Sequence, residues 1–331
     1  MIFSSLLLLA GFVVLIKGAD LFVDGAASLA RGAGISPLVV GLTVVAFGTS
    51  APELFVNLPA CIDGRTDIAL GNVVGSNIAN LLFVLGLSAL VRPLTLSTGM
   101  VWKGIPFCLL AAVMLWILAS DALIDGVFAS VVSQSDGLVL LGFFGVFLVY
   151  SASVAEPIDG LPHVMPPAAD KAMFIAVKMA VGYCGLLFGG RWVAGSAAIL
   201  GDLLDISRIV MGLTVVGLGT SLPEMAASVM AARRGYVEMA VGNVLGSSIF
   251  NVFFVLGVSA LIRPLPVNPA AHVDLGVMTA AGILLFIFLF AGRIRILDRR
   301  EGVLLLMLYG VYLVYLLYPV FSPMAPAGAA G

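Results

Sequence analysis

Charge is what this sequence is short of. Asp, Glu, Lys and Arg make up 10 % of its 331 residues, against about 25 % in soluble domains. A soluble globular chain of this length is thereby excluded. Histidine is scarcer still, at two residues; His163 and His272 read as loop residues, which leaves little for a proton relay built on imidazole. The three cysteines, Cys61, Cys108 and Cys184, show no metal-binding or redox spacing. A net charge of −2 with a pI near 5.6 gives no basic footprint, so nucleic acid is not expected as a partner.

Apolar residues fill the space left by charge. They are 61 % of the chain, and the mean hydropathy is +1.17, enough for several membrane-spanning helices of ~20 residues each. The N-terminal run "MIFSSLLLLAGFVVLIKGADLF" lacks a positive region ahead of its apolar stretch, so it reads as a retained first helix rather than a signal peptide. Hydropathy predicts spans at 3–30, 37–61, 68–91, 100–119, 129–152, 172–199, 209–232, 239–262, 272–292 and 302–321. The predicted fold is therefore an all-α integral membrane protein of ten transmembrane helices. The Pro-containing, charged stretch 153–171 reads as a connector between a five-helix half at 1–152 and another at 172–331.

Lys and Arg fall unevenly between the loops. With the N-terminus outside, Arg31, Arg92, Lys103, Lys171, Arg233, Arg234, Arg293, Arg295, Arg299 and Arg300 lie inside, and only Arg65, Arg208 and Arg263 outside. The positive-inside rule then predicts both termini outside and a cytoplasmic connector, in a cell (inner) membrane.

The chain also repeats itself. Shifted by 171 residues, Gly41–Pro93 meets Gly212–Pro264 over 53 positions without a gap, and 29 of them are identical. Each half holds five predicted helices, an odd number, so the halves cross the membrane in opposite senses. Inverted repeats with interrupted helices in matching places point to a secondary transporter with its site near the midplane.

The polar content of the repeat says what such a site would hold. "GTSAPE" (Gly48–Glu53) and "GTSLPE" (Gly219–Glu224) put one carboxylate midway along an apolar span in each half. A charge at that depth costs at least ~2.5–3.5 kcal/mol, and a cation held between Glu53 and Glu224 offsets that cost. Gly and Pro loosen the helix on either side of the hydroxyl pair. Backbone carbonyls at Ala46 and Gly217, and hydroxyls of Thr49, Ser50, Thr220 and Ser221, become candidate donors. The partner segments "GNVVGSNIAN" and "GNVLGSSIFN" add Ser76, Asn77, Asn80, Ser247, Ser248 and Asn251. Every candidate is an oxygen donor, the set that hard cations prefer and zinc or copper do not. Ca²⁺, with ~6–8 oxygens in flexible geometry, suits it better than Mg²⁺.

The two motifs in tandem resemble the α1 and α2 repeats of the cation/calcium antiporter superfamily, in its sodium/calcium exchanger branch. The resemblance implies exchange of Ca²⁺ against Na⁺ by alternating access, with these ions and the lipid bilayer as partners, no cofactor and no obligatory protein partner. It implies Ca²⁺ ligands at Glu53 and Glu224, with main-chain carbonyls of Thr49 and Thr220. It implies Na⁺ ligands at Ser50, Ser76, Ser221 and Ser247 and at the carbonyls of Ala46 and Gly217. Asn80 matches the family's Asn; Asn251 stands where many microbial relatives have Asp, leaving two formal charges in the inner shell. H⁺/Ca²⁺ exchange is the near alternative and a cation channel a more distant one. No nucleophile–base pair or His cluster lies at membrane depth, so an enzyme is not expected. The charges at Lys17, Asp20, Lys178 and Arg191 are expected to snorkel or to pair with one another, and Asn57 to support the site from one turn beyond Glu53.

Overall fold

The computed structural model describes residues 2–98, 100–153, 171–203, 219–291 and 295–321. Its helices are α1 (Ile2–Ala33), α2 (Pro37–Thr49), α3 (Ala51–Ile62), α4 (Thr66–Val91), α5 (Met100–Leu118) and α6 (Gln134–Ser153). A second series follows: α7 (Ala172–Leu203), α8 (Leu222–Arg234), α9 (Val237–Ile262), α10 (Ala271–Ala291) and α11 (Arg299–Phe321). A single turn at Asp121–Ile124 is left unnumbered.

Among the described residues, eight helices are long and apolar enough to cross a membrane, and the bent pair α2–α3 makes a ninth. The span expected at 209–232 begins outside the described residues, so a count of ten is not reached; α8 is its described part. The span expected at 37–61 is not one straight rod. It breaks at Ser50 and bends by 43°, because Pro52 has no N–H for the carbonyl four residues earlier. Ser50 takes φ −86°, ψ 1°, the sparsely populated bridge region where site residues often sit. Ser221, its counterpart after a shift of 171, takes φ −83°, ψ 2°.

Burial sorts the helices into an inner and an outer set. In the most apolar stretch of α4 and of α9, 78 % of residues are buried, against 22 % in α7 and in α11. The outer helices therefore leave their apolar surface to lipid, and α4 and α9 form the centre. Every residue of α9 from Met239 to Phe253 is buried. Each central helix contains one wide π-helical turn, Ala79–Val84 in α4 and Asn251–Leu256 in α9. Such turns re-aim the side chains that follow and are frequent at functional sites.

The repeat is visible in the contacts as well as in the letters. Short antiparallel strands pair β1 (Leu94–Thr95) with β4 (Ile296–Leu297), and β2 (Val131–Val132) with β3 (Leu265–Pro266). Positions 94 and 265 are 171 apart, so each half contributes the same strand to the same kind of junction. Likewise, Gly86 lies against the carbonyl of Gly302, and Gly257 against that of Gly137.

Outside this centre, α1 and α7 lie against each other along their length. A Cβ at Gly18 would stand 2.6 Å from the Gly185 carbonyl carbon, and one at Gly189 2.5 Å from the Leu15 nitrogen. Only glycine admits such backbone contact, the usual device for close helix pairs in membranes. The expected pairing among Lys17, Asp20, Lys178 and Arg191 takes another form. Lys178 pairs with Asp24 at 2.8 Å, while Asp20 pairs with Arg234 of α8 at 2.6 Å. Lys17 and Arg191 are exposed on the outer surface.

Candidate functional site

Both motif segments meet at the centre of the molecule. Glu53, at the start of α3, and Glu224, at the start of α8, are completely buried. Each carboxylate accepts from a serine hydroxyl. Ser50 Oγ donates across the halves to Glu224 Oε1 at 3.1 Å, and Ser76 Oγ of α4 donates to Glu53 Oε1 at 3.4 Å.

The threonines tie the same segments to the central helices. Thr49 Oγ1 donates to Asn243 Oδ1 at 3.1 Å and lies 3.3 Å from Ser247 Oγ, both on α9. In the other half, Thr220 Oγ1 lies 3.5 Å from Ser76 Oγ on α4. Shifted by 171, Thr49–Ser247 becomes Thr220–Ser76, so one arrangement occurs twice.

The remaining polar atoms are more informative than the bonded ones. Glu53 Oε2, Glu224 Oε2, Ser221 Oγ, Asn251 Oδ1 and both amide atoms of Asn80 are buried without a hydrogen-bond partner among the described residues. An orphaned buried polar group costs about 1–3 kcal/mol, and a charged one more. Apart from the Asn80 nitrogen, all of them are oxygens on residues of the repeated motifs. That donor set fits a hard cation carried as substrate. No group of three or more His, Cys, Asp or Glu able to hold a metal occurs among the described residues, so the charge in such a site would come from the two glutamates.

Of the residues singled out from sequence, Glu53, Glu224, Thr49, Thr220, Ser50, Ser76 and Ser247 are thus linked to one another. Ser221, Asn80 and Asn251 supply the partnerless atoms. Asn80 and Asn251 lie in the two π turns, yet they are not equivalent. Asn251 Nδ2 donates to Asn77 Oδ1 at 3.2 Å, and Asn77 Nδ2 donates to the Ser248 carbonyl at 3.1 Å. Ser248 Oγ turns back to the Val244 carbonyl of its own helix. The Ala46 carbonyl accepts the Ser50 N–H at 3.0 Å and Thr49 Oγ1 at 3.4 Å; the carbonyl that Pro52 leaves without its helical donor is that of Gly48. Gly217 lies outside the described residues.

Sequence reasoning missed Asn72 and Asn243. Asn243 Nδ2 donates to Ser228 Oγ at 2.8 Å and to the Glu224 carbonyl at 3.3 Å, while its oxygen holds Thr49. Asn72 Nδ2 donates to Asn57 Oδ1 at 2.8 Å, and Asn57 donates to the Ala69 carbonyl at 3.1 Å. The signal was present in the repeated "GNV", which puts an amide at the same place in both halves.

The family described as "Sodium/calcium exchanger protein" matches this chain over residues 3–152 and 174–318. The chain is 36 % identical to the "Putative antiporter CaxA" of Alkalimonas amylolytica, over 93 % of this chain and 97 % of that protein. It is 33 % identical to the "Sodium/calcium exchanger MaX1" of Methanosarcina acetivorans, over 92 % and 96 %. Among solved structures, the sodium-calcium exchanger NCX_Mj superposes with a TM-score of 0.80 at 32 % identity, covering 95 % of this chain and 98 % of that one.

Proposed function

The chain belongs to the sodium/calcium exchanger family, and from that premise we propose that it is a secondary antiporter exchanging Ca²⁺ for Na⁺ by alternating access. The observation that carries this reading is the cluster of buried, partnerless oxygens around Glu53 and Glu224. One Ca²⁺ balances the two carboxylates, while Asn80, Asn251, Ser221 and the motif hydroxyls supply neutral oxygens. Sodium ions replace it at overlapping positions, with Ser50, Ser76, Ser221 and Ser247 as ligands. Neutral oxygens beside a carboxylate are what a metal cation uses and a proton does not need, which favours Na⁺ over H⁺ as the coupling ion. Between loaded states, two bare carboxylates facing a dry barrier make movement of the empty site costly, which suppresses leak. In this reading both termini lie outside, with 1–152 and 172–331 as the two halves, on the uneven distribution of Lys and Arg.

The coupling ion is tested by ⁴⁵Ca²⁺ uptake into proteoliposomes under separately imposed Na⁺ and pH gradients. Uptake driven by internal Na⁺ at clamped pH is expected. Uptake that follows the pH gradient and ignores Na⁺ would replace this reading with H⁺/Ca²⁺ exchange.

Two substitutions probe the surroundings. Asn243→Ala removes the acceptor of Thr49 and the donor to Ser228. The expected result is a rise of about tenfold in the KM for Ca²⁺, from the ~1–3 kcal/mol cost of buried groups left unmatched, with normal membrane insertion. An unchanged KM counts against the positioning role. Asn251→Asp adds a third formal charge beside the pair and replaces the amide that donates to Asn77. Its expected effect is an altered Na⁺ dependence or a new pH dependence of exchange; identical ion profiles would make this position silent.

A further inference from the structure

The charged groups of α1, α7 and α8 stand apart from the ion site and form one network at a single end of the outer helix pair. Arg234, the last residue of α8, reaches Asp20 at 2.6 Å and Asp24 at 3.0 Å on α1. Asp24 also holds Lys178 of α7 at 2.8 Å. Two turns further along, Arg31 of α1 donates at 3.2 Å to the hydroxyl of Tyr236, in the turn between α8 and α9. The α1–α7 pair otherwise meets the rest of the protein chiefly through α2 and α8. Those are the helices that lead into the motif segments. A shift of the pair against the centre at this end pulls on the contacts that cross to it, those of Arg234 and Tyr236.

The shift of 171 carries Asp20 onto Arg191 and Arg234 onto Asp63. The same two positions are charged in both halves, with the signs exchanged. The register holds in space as well as in the letters. A Cβ at Gly11 would meet the Val193 nitrogen at 3.0 Å, and one at Gly182 the Phe22 nitrogen at 2.4 Å; Gly11 and Gly182 are 171 apart, as are Phe22 and Val193. The two turns match too. Gly235 has φ 87° with Arg92 over it, and Gly64 has φ 84° with Arg263 over it. By the same shift the Asp63 turn is the counterpart of the Arg234 turn, and Arg191 of α7 the counterpart of Asp20 of α1; with the halves inverted, that turn lies at the opposite face of the protein.

At that face the pair is not made. Arg191 is exposed and has no ion pair or hydrogen bond with the described residues. Asp63 bonds its own neighbour Arg65 at 3.0 Å, with both side chains more than half exposed, at 57 % and 59 %.

We propose that Asp20–Arg234 and Asp63–Arg191 are a pair of alternating clasps, each closing one face of the transporter and only one made at a time. This rests on the alternating-access reading above. The first clasp has Asp24 as a second acceptor for Arg234, so the state closed at the Arg234 face is the favoured one when no ion gradient acts. A partly exposed pair of this kind biases a two-state equilibrium by about fivefold.

The test uses the full chain in proteoliposomes with Cys184→Ser, the remaining Cys61 and Cys108 being buried. Two double variants, Asp20→Cys with Arg234→Cys and Asp63→Cys with Arg191→Cys, are treated with a short, reducible bis-thiosulfonate linker. Each pair is expected to cross-link, each link to arrest exchange, and reduction to restore it. Adding Arg234→Glu to the second variant is expected to raise its cross-linking about fivefold. A charge swap, Asp63→Arg with Arg191→Asp, is expected to exchange faster than either single change. The proposal is overturned if the second pair fails to link under any Na⁺ or Ca²⁺ gradient while the first links efficiently. It is also overturned if the swap is no better than the singles. Wild-type exchange in the same vesicles separates the two kinds of failure. Flux without a counter-ion there counts against antiport itself, whereas missing cross-links beside intact exchange overturn only the clasp.

Discussion

Glu53→Gln and Glu224→Gln are each expected to lower Ca²⁺ affinity more than a hundredfold and to reduce exchange to near background. Glutamine keeps the volume of the side chain and an oxygen that can accept from Ser76 or Ser50, so the fold has no reason to respond. In the proposed site, what disappears is one of the two charges that balance a divalent cation, at a completely buried position. Removing one partner of a buried charge pair typically costs about 3–5 kcal/mol, and each 1.4 kcal/mol is tenfold in affinity. The two variants are expected to insert, to purify as single species and to fail in ⁴⁵Ca²⁺ uptake. If the two carboxylates serve one ion, as proposed, the double variant is expected to be little worse than either single. Wild-type-like uptake in either single variant would remove the assignment.

Gly182→Val is expected to break the outer helix pair. Its Cβ would stand 2.4 Å from the Phe22 nitrogen, 2.7 Å from the Phe22 Cα and 2.9 Å from the Gly18 carbonyl oxygen. All three are backbone atoms, so no side chain can swing aside and α1 must move away from α7. Overpacking typically costs about 1–3 kcal/mol where neighbours can adjust; with backbone on the far side, the upper end applies. The expected readout is a lower yield of folded protein and a thermal midpoint in detergent reduced by several degrees. Gly195→Ala on the same helix, where an added Cβ meets nothing within 4 Å, is the matched control and is expected to behave as wild type. Equal stability of the two variants would mean that the close approach of α1 and α7 does not hold the pair together.

Much of this architecture is written in the sequence because a membrane makes hydropathy decisive. The spans predicted at 68–91 and 239–262 differ from α4 and α9 by two residues or fewer at either end. The break at Ser50 was legible for a local reason, since Gly48 and Pro52 weaken the helix from both sides. The repeat added what local reasoning lacks: it matches Glu53 with Glu224 across 171 residues, and the fold buries both at its centre.

What escaped depends on geometry that no local pattern encodes. The π turns at Ala79–Val84 and Asn251–Leu256 leave no compositional mark, yet they set where Asn80 and Asn251 point. Ala46 was expected to offer a freed carbonyl, but a proline frees the acceptor four residues back, which from Pro52 is Gly48. Asp20 was placed among the charges of α1 and α7, and its partner came from α8, whose last residue, Arg234, lies beside α1. Asn80 and Asn251 look like symmetric mates in the alignment, but Asn77 has Ser248 as its counterpart. An amide can bridge α4 to α9, and a serine hydroxyl folds back onto its own helix.

The central claim is that both glutamates hold one cation that Ca²⁺ and Na⁺ occupy in turn. Equilibrium ⁴⁵Ca²⁺ binding to the purified protein tests it most directly. The account predicts one Ca²⁺ bound per chain at saturation, displaced competitively by Na⁺ and lost in both Glu53→Gln and Glu224→Gln. Binding that survives at wild-type affinity in either variant, or that Na⁺ fails to displace, would contradict it.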